Sequence, residues 1–477
     1  MQRQTQDGNG HFVATVHSLS NLVVFRNSQG IQARGSLLKL SRTTLILEVY
    51  NPYSIVQLSE VLHDLEVRSG QRLIYQGRAV VTNLVNTGLM LIVSVRLIDN
   101  WSDLAGLFED PTRVNQEVGA FIEEWTHSNR VRPRFQLAVS ELRSFLTELN
   151  RWLEHVDVQM DEGHGFNREI VEALSEPVIP KLSAMFDDFE DAADEVEEEE
   201  RTAHERYVQR DLHPLLLRAP FVHRAFNKPL GYAGDYEMVN MMLRDPFEGP
   251  TTYARIINAL YLYAGPPTAH RNRIDILLEW LHTEFHKAEE RGAMLQCLNV
   301  GCGPAVELQR LFRTDRAAER CSFELMDFNE QTLAYTRGVL DEACEEGGIH
   351  PDIALVHESV HHLLKTASKG DDGQRDSRYD IIYCAGLFDY LSDKICSRLL
   401  HLFYQWTKPG GRVLVTNVHP SHSSLHAMEY ILEWHLIYRD ESRMCGLVPD
   451  EWPREAYRDP TGINIFMELQ KPQQNDG

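Results

Sequence analysis

The chain has 477 residues, of which 47 are Lys or Arg and 70 are Asp or Glu, giving a formal charge of -23 with histidine neutral. That length allows two or three domains with an ample core, and 43% hydrophobic with 25% charged residues excludes a disordered or collagen-like chain. So acidic a field repels phosphate backbones and anionic headgroups, so nucleic acid is not an expected partner. The N-terminal stretch Met1–Asp7 is polar with no apolar h-region, and Leu89–Ile98, interrupted by Ser94 and Arg96, is too short for an integral membrane segment. A cytoplasmic protein is the expectation. The seven cysteines lie between Cys297 and Cys445 without a Cys-x-x-Cys pair, so reduced thiols are expected, with no metal site and no disulfide framework.

Residues 1–105 read as a small antiparallel β-barrel. Short runs bounded by Gly, Asn and Ser are expected as strands at Phe12–His17, Leu22–Phe25, Thr44–Tyr50, Arg72–Tyr75, Ala79–Leu84 and Leu89–Leu97, the last two forming a hairpin about Asn86-Thr87-Gly88. The region resembles a PilZ-type barrel, which in bacteria often binds a cyclic dinucleotide through paired arginines followed by Asp/Asn-x-Ser-x-x-Gly. Arg26 and Arg34 are candidates for the arginine element, but Lys39–Thr44 keeps only the serine and lacks the acid and the glycine. A structural or partner-binding barrel is therefore the expectation, with a nucleotide sensor as the alternative.

Residues 106–289 read as helical. Phe135, Val139, Leu142, Phe145, Leu146, Leu149 and Leu153 recur at three and four. Between Asp187 and Glu200 acids dominate, while Phe186, Phe189, Ala193 and Val196 keep a thin apolar stripe, as on a solvated helix. The segment Asn227–Tyr236 is punctuated by Gly231 and Gly234 beside Tyr232 and Tyr236, a composition that serves either an ordinary helix connection or a loop closing over a ligand.

From residue 290 strands and helices alternate, as in a parallel sheet with crossovers. The strand Met294–Val300 runs into Gly301-Cys302-Gly303-Pro304-Ala305 and a helix over Val306–Phe312, which leaves helix N-terminal amides facing a crevice where a nucleotide-like cofactor fits. The next strand ends in Asp327, placed to accept hydrogen bonds from two ribose hydroxyls. Val306 at the third glycine position tells against a dinucleotide.

These motifs resemble class I S-adenosylmethionine-dependent methyltransferases, whose fold is a Rossmann-like α/β sheet. The likeness covers about residues 290–472: the turn Asn299–Ala305, the acid Asp327, the strand-four motif Tyr379–Tyr390, the turn Lys408–Gly411 into strand five, and a closing strand at Gly462–Leu469. The resemblance implies S-adenosyl-L-methionine as cofactor, held by Asn299, Gly301, Gly303 and Asp327, by Glu358 or Ser359 at the adenine amine, and by Cys384 and Gly386 beside the methyl-transfer point, where Asp389 also lies. With Gly231–Tyr236 and Trp434–Arg439, the chain over about 200–472 looks like bacterial methyltransferases of 3-hydroxy fatty acid methyl ester synthesis. That implies a small-molecule acyl substrate, a substrate cap from about residue 210 carrying Tyr232, and a methyltransferase domain over 290–477. A carboxylate acceptor is already ionised and needs only an orienting donor, for which Arg439, Arg224 and Lys228 are candidates; an alcohol would call on His419 as base. A protein methyltransferase, or a non-enzymatic cyclic-dinucleotide effector with a methyltransferase fold, are the alternatives, and the barrel could take a protein partner or ligand.

Overall fold

A computed structural model describes residues 21–40, 43–49, 56–69, 72–86, 91–99, 130–161, 167–197, 200–290, 292–368 and 375–473. The expected strand Phe12–His17, the turn residues Thr87-Gly88 and the boundary near residue 105 lie outside them.

In the N-terminal region, alternation of apolar and polar residues produces strands with one buried face. It is strict in β6 (Leu91–Leu97), where Leu91, Val93, Val95 and Leu97 point inward. With β1 (Asn21–Arg26), β2 (Gln32–Leu40), β3 (Thr44–Val49), β4 (Val61–Ser69) and β5 (Arg72–Asn86) it closes an antiparallel barrel in the order β1-β2-β3-β6-β5-β4. Val23, Phe25, Leu45, Leu47 and Tyr75 help fill its interior. The sequence reading misses β2 and β4. A bulge between Leu62 and Leu65 breaks the alternation of β4, with Asp64 at φ 49°. Arg72–Tyr75 and Ala79–Leu84, read as two strands, are one strand carried through Gly77.

The middle region packs α1 (Pro133–Asp161), α2 (Arg168–Asp194), α3 (Arg201–Leu216), α4 (Pro220–Asn227), α5 (Tyr236–Leu243), α6 (Thr252–Leu262) and α7 (Gly265–Glu290). Phe135, Leu142, Leu146 and Leu153 from α1 meet Phe189 of α2, Leu212 of α3 and Ile257 of α6 in one core. In the acidic stretch Phe189 and Ala193 are buried as the spacing predicts, and Glu190 is buried beside them. None of the helices of the described residues is long and apolar enough to cross a membrane.

The C-terminal region is a seven-stranded sheet of β7 (Leu295–Val300), β8 (Cys321–Asp327), β9 (Asp352–His357), β10 (Tyr379–Cys384), β11 (Thr407–Val418), β12 (Arg454–Arg458) and β13 (Asn464–Gln470), in the order β12-β13-β11-β10-β7-β8-β9. Strands β7 to β11 are parallel, and β13 runs antiparallel to both β11 and β12. The crossovers include α8 (Val306–Thr314), α9 (Glu330–Gly347), α10 (Val360–Ser368) and α11 (Asp393–Trp406). Strand order reverses between β7 and β10, and at such a switch point the two flanking loops diverge and open a crevice at the strand C-termini. After β11 the chain makes a π-helical turn at Ala427–Ile431, followed by irregular chain with Glu433 at φ 50°.

Among the described residues, polar contacts tie the barrel to this body at several places. Arg96 of β6 pairs with Glu433 and lies 3.9 Å from Glu205 of α3. The Ser59 hydroxyl donates to the His435 carbonyl (3.1 Å) and accepts from the His435 amide (2.6 Å). The Val61 amide donates to the Gly231 carbonyl at 2.8 Å.

Candidate functional site

The loop after β7 begins with Gly301 at φ 72° and continues through Gly303 at φ 51° and Ala305 at φ 50°. The left-handed turn lets the chain reverse tightly and enter α8, whose N-terminus has no side-chain cap. A side chain at Gly303 would meet nothing within 4 Å, so the backbone there faces open space. One strand over, Asp327 closes the same crevice. Its Oδ2 accepts from the Gly303 amide (3.1 Å) and its Oδ1 from the Asn329 amide (2.9 Å), which leaves each oxygen one further acceptor position. Burial pushes this carboxyl up to about 6.

These residues open onto a cavity of about 400 Å³. On the sheet side it is lined by Asn299, Gly301, Gly303, Asp327, Glu358, Gly386 and Asp389. Asp389 is buried, its Oδ1 accepts from the Val418 amide at 2.7 Å, and burial pushes it up to about 6 against the opposing pull of Arg273. From the helical region come Met238, Val239, Met242, Leu260 and Phe186, joined by Met428, Leu432 and Trp434. The cavity thus has a polar end at the strand termini and an apolar chamber between helices.

Tyr232 stands at the junction. Its ring packs on Phe328 with centroids 4.9 Å apart, and burial, reinforced by Asp327, raises its phenol. Gly234, two residues on, lies against Tyr390, whose hydroxyl accepts from the Trp434 indole at 3.0 Å.

Of the residues singled out from sequence, Cys384, Ser359, His419 and Arg439 do not line the cavity. Cys384 is buried within the sheet core, and burial raises its thiol. Ser359 instead turns its hydroxyl onto the His362 amide at the start of α10, 3.2 Å away. The His419 Nδ1 accepts from the Ser421 amide at 3.0 Å and its Nε2 faces Glu441 at 3.9 Å. Arg439 corrects the expectation of a substrate-orienting cation: fully buried, it donates to the Phe388 carbonyl (2.8 Å), Asn417 Oδ1 (2.6 Å), Asp393 (2.9 Å) and the Leu391 carbonyl. It ties the loop after β10 to the end of β11. The other two cations are likewise engaged. Arg224 forks onto buried Asp235 at 2.9 and 3.1 Å, and Lys228, pushed down to about 8 by burial, donates to the Leu432 carbonyl.

Among the described residues, the arginine that does line the cavity is Arg273 of α7. It lies over Gly386, where an added Cβ would come within 3.0 Å of its Nη1, and it donates to His270 Nδ1 at 2.6 Å. Glu307, in the first turn of α8, is the second residue the sequence reading missed. Its Oε1 accepts from the Tyr383 hydroxyl (2.8 Å) and the Asn299 amide group (3.2 Å), and burial raises its carboxyl. An acid eight positions past Asn299, opening a helix, is the signal that could have found it. Arg273 precedes the first strand by a long helix and leaves no such mark.

Away from the cavity, His282, His286 and Asp315 bring ligand-type atoms within 4.8 Å of one another, at the end of β8 opposite Asp327. His282 Nδ1 lies 2.6 Å from Asp315 Oδ2, a hydrogen bond that ties α7 to the turn entering β8.

No family model matches the sequence, and no curated protein matches it. Among solved structures, the chain is similar to a possible exported protein of Bordetella parapertussis (17% identity, TM-score 0.39), over 53% of this chain and 86% of that one. It is also similar to an O-methyltransferase family protein of Burkholderia thailandensis (13%, TM-score 0.34, 58% and 73% covered). A third is magnesium protoporphyrin IX methyltransferase of Synechocystis PCC 6803 with bound S-adenosylhomocysteine (12%, TM-score 0.31, 43% and 84% covered). These likenesses are partial and concern architecture, and they leave the chemistry of the cavity to its own residues.

Proposed function

We propose that the chain is an S-adenosylmethionine-dependent methyltransferase that methylates an oxygen of a small molecule, the carboxylate of a 3-hydroxy fatty acid or a related acyl acceptor. The observation that carries this reading is the continuity of one cavity, from the glycine turn and Asp327 at the strand termini into a chamber of Met, Leu and Phe side chains. A nucleoside with vicinal hydroxyls fits the polar end: the turn leaves backbone exposed at Gly303, and each Asp327 oxygen retains an acceptor position. Arg273, half-buried above Gly386, suits the carboxylate of an amino-acid tail, and Glu307 with Asn299 suits its ammonium group. When bound, the cofactor supplies an electrophilic methyl group on a sulfonium.

What remains for the protein is placement and exclusion of water. Tyr232, packed on Phe328, would roof the sugar, and Tyr390 with Trp434 would fix the wall next to it. A carboxylate acceptor needs no base, so His419 outside the cavity is no obstacle to this chemistry. An apolar chamber favours the acyl chain of such an acceptor over water by about 0.8 kcal/mol per buried methylene.

The test is calorimetry with S-adenosylhomocysteine, followed by incubation with methyl-labelled cofactor and 3-hydroxydecanoate. Binding and label in a methyl ester are expected. Absence of binding would overturn the reading, and label travelling with protein would replace the small-molecule acceptor by a protein one. Binding of a cyclic dinucleotide with silence toward S-adenosylhomocysteine would favour a non-enzymatic effector instead.

A further inference from the structure

The barrel contributes to the cavity. Gln29 on the turn between β1 and β2, together with Gln57 and Leu58 ahead of β4, lines the same space as Gly301 and Asp327. One buried side chain holds both turns: Glu60 Oε1 accepts from the Ser28 amide (2.8 Å) and hydroxyl (2.5 Å), and its Oε2 accepts from the Gln57 amide (2.7 Å). Asn27, also buried, braces the first turn by accepting from the amides of Gln29 (3.1 Å) and Ile31 (2.8 Å).

The loop that roofs the polar end is clasped from the barrel side. Gly231 bonds to Val61, and a Cβ there would come within 3.3 Å of Ser28 and 3.5 Å of His63. The next residue, Tyr232, packs on Phe328 and feels Asp327. The chain around Glu433–Ile437 is held in the same way, with Ile437 packed against the barrel core and His435 bonded to Ser59. An appended sensor on a linker would not need its turns in the cavity wall, or buried contacts on both loops that shape it.

We propose that the barrel is a wall of the acceptor chamber and that Gln29, Gln57 and Leu58 help decide which acceptor fits, with Glu60 as the positioning residue that holds them. This rests on the reading that the chamber takes an acyl acceptor. The partner class is a chain with an apolar body long enough to leave the polar end and reach the barrel turns, where two carboxamides offer hydrogen bonds to a polar substituent.

The experiment uses the full chain with S-adenosylhomocysteine bound, and dansyl-undecanoic acid as a fluorescent probe of the chamber. Gln57→Trp adds bulk to the wall while keeping the backbone amide that Glu60 holds. It is expected to weaken probe binding by roughly tenfold, as expected for a pocket that loses room for about one or two methylenes. The affinity for S-adenosylhomocysteine should stay as in the unaltered chain. With acyl acceptors, Gln57→Trp should move the preference toward shorter chains, and Glu60→Gln should raise KM while leaving kcat unchanged. Gln29→Trp serves as the second variant should Gln57→Trp not fold. Probe affinity within about twofold of the unaltered chain, in a folded variant, overturns the proposal, as does failure of the unaltered chain to bind the probe. Loss of S-adenosylhomocysteine binding with the probe effects intact would sink the cofactor reading alone.

Discussion

On the proposed reading, replacing Asp327 isolates the sugar end of the cofactor. Each of its oxygens already accepts one backbone amide, from Gly303 or Asn329, and has one acceptor position left for a vicinal hydroxyl. Hydrogen bonds to a charged group contribute about 1.5–3 kcal/mol each, so Asp327→Ala should cost about 3–6 kcal/mol, or roughly 10²–10⁴ in Kd for S-adenosylhomocysteine. The same carboxyl gives a pH signature. Burial pushes it up to about 6 in the free protein. Hydroxyl donors favour its charged form, so Kd should be flat above about pH 6 and rise up to tenfold per unit below it. Asp327→Asn should remove that rise, and a smaller slope left would belong to the other cavity acids whose carboxyls burial raises, Asp389, Glu307 and Glu190. Calorimetry across pH measures both effects, with a thermal melt of each variant because the turn amides lose an acceptor. A folded Asp327→Ala protein that binds within about threefold of the unaltered chain would refute the assignment, since two charge-assisted bonds cannot be lost for so little.

Arg273→Met should weaken S-adenosylhomocysteine by at least about tenfold while hardly altering adenosine, because only the amino-acid tail would face the guanidinium; equal losses on both ligands would argue against that placement. Arg439→Met should cost about 3–5 kcal/mol by chemical denaturation, since it strips four acceptors of one buried cation, whereas His419→Ala should stay within about 1 kcal/mol. Gly234→Ala places a Cβ 2.7 Å from the Tyr390 hydroxyl at φ 72°, and should lower both the melting temperature and turnover. Glu60 keeps its proton to about pH 7 in the folded chain because it is buried, against 4.5 as its ordinary value. Its contribution to stability is therefore full below about pH 4.5 and declines as the pH rises to about 7, by up to ~3 kcal/mol. Glu60→Gln should lack that decline, seen as a difference between the two denaturation-versus-pH curves.

What the sequence discloses here is what short stretches of chain determine by themselves. The turn Gly301–Ala305 is legible because a left-handed backbone between a buried strand and a helix leaves glycine spacing as its trace, and Asp327 because it ends the following strand. Their partners were not legible. Arg273 meets Gly386 across more than a hundred residues of chain, and Gln57 meets the same cavity from another layer altogether, so no periodicity records either approach. Arg439 misled for the complementary reason: a cation near an expected active-site loop looks available in one dimension, while the fold surrounds it with four acceptors. The barrel strands show the same limit at the local level, since the bulge in β4 and Gly77 in β5 interrupt the two-residue period that would have marked them. Because the residues that shape the chamber arrive from the barrel, from α5 and α6 and from the chain after β11, the proposed function makes acceptor selectivity a property of their packing together. A substitution that loosens the barrel against Gly231 should therefore alter which acceptor is taken before it alters cofactor binding, for which the proposed residues come chiefly from the loops of the sheet.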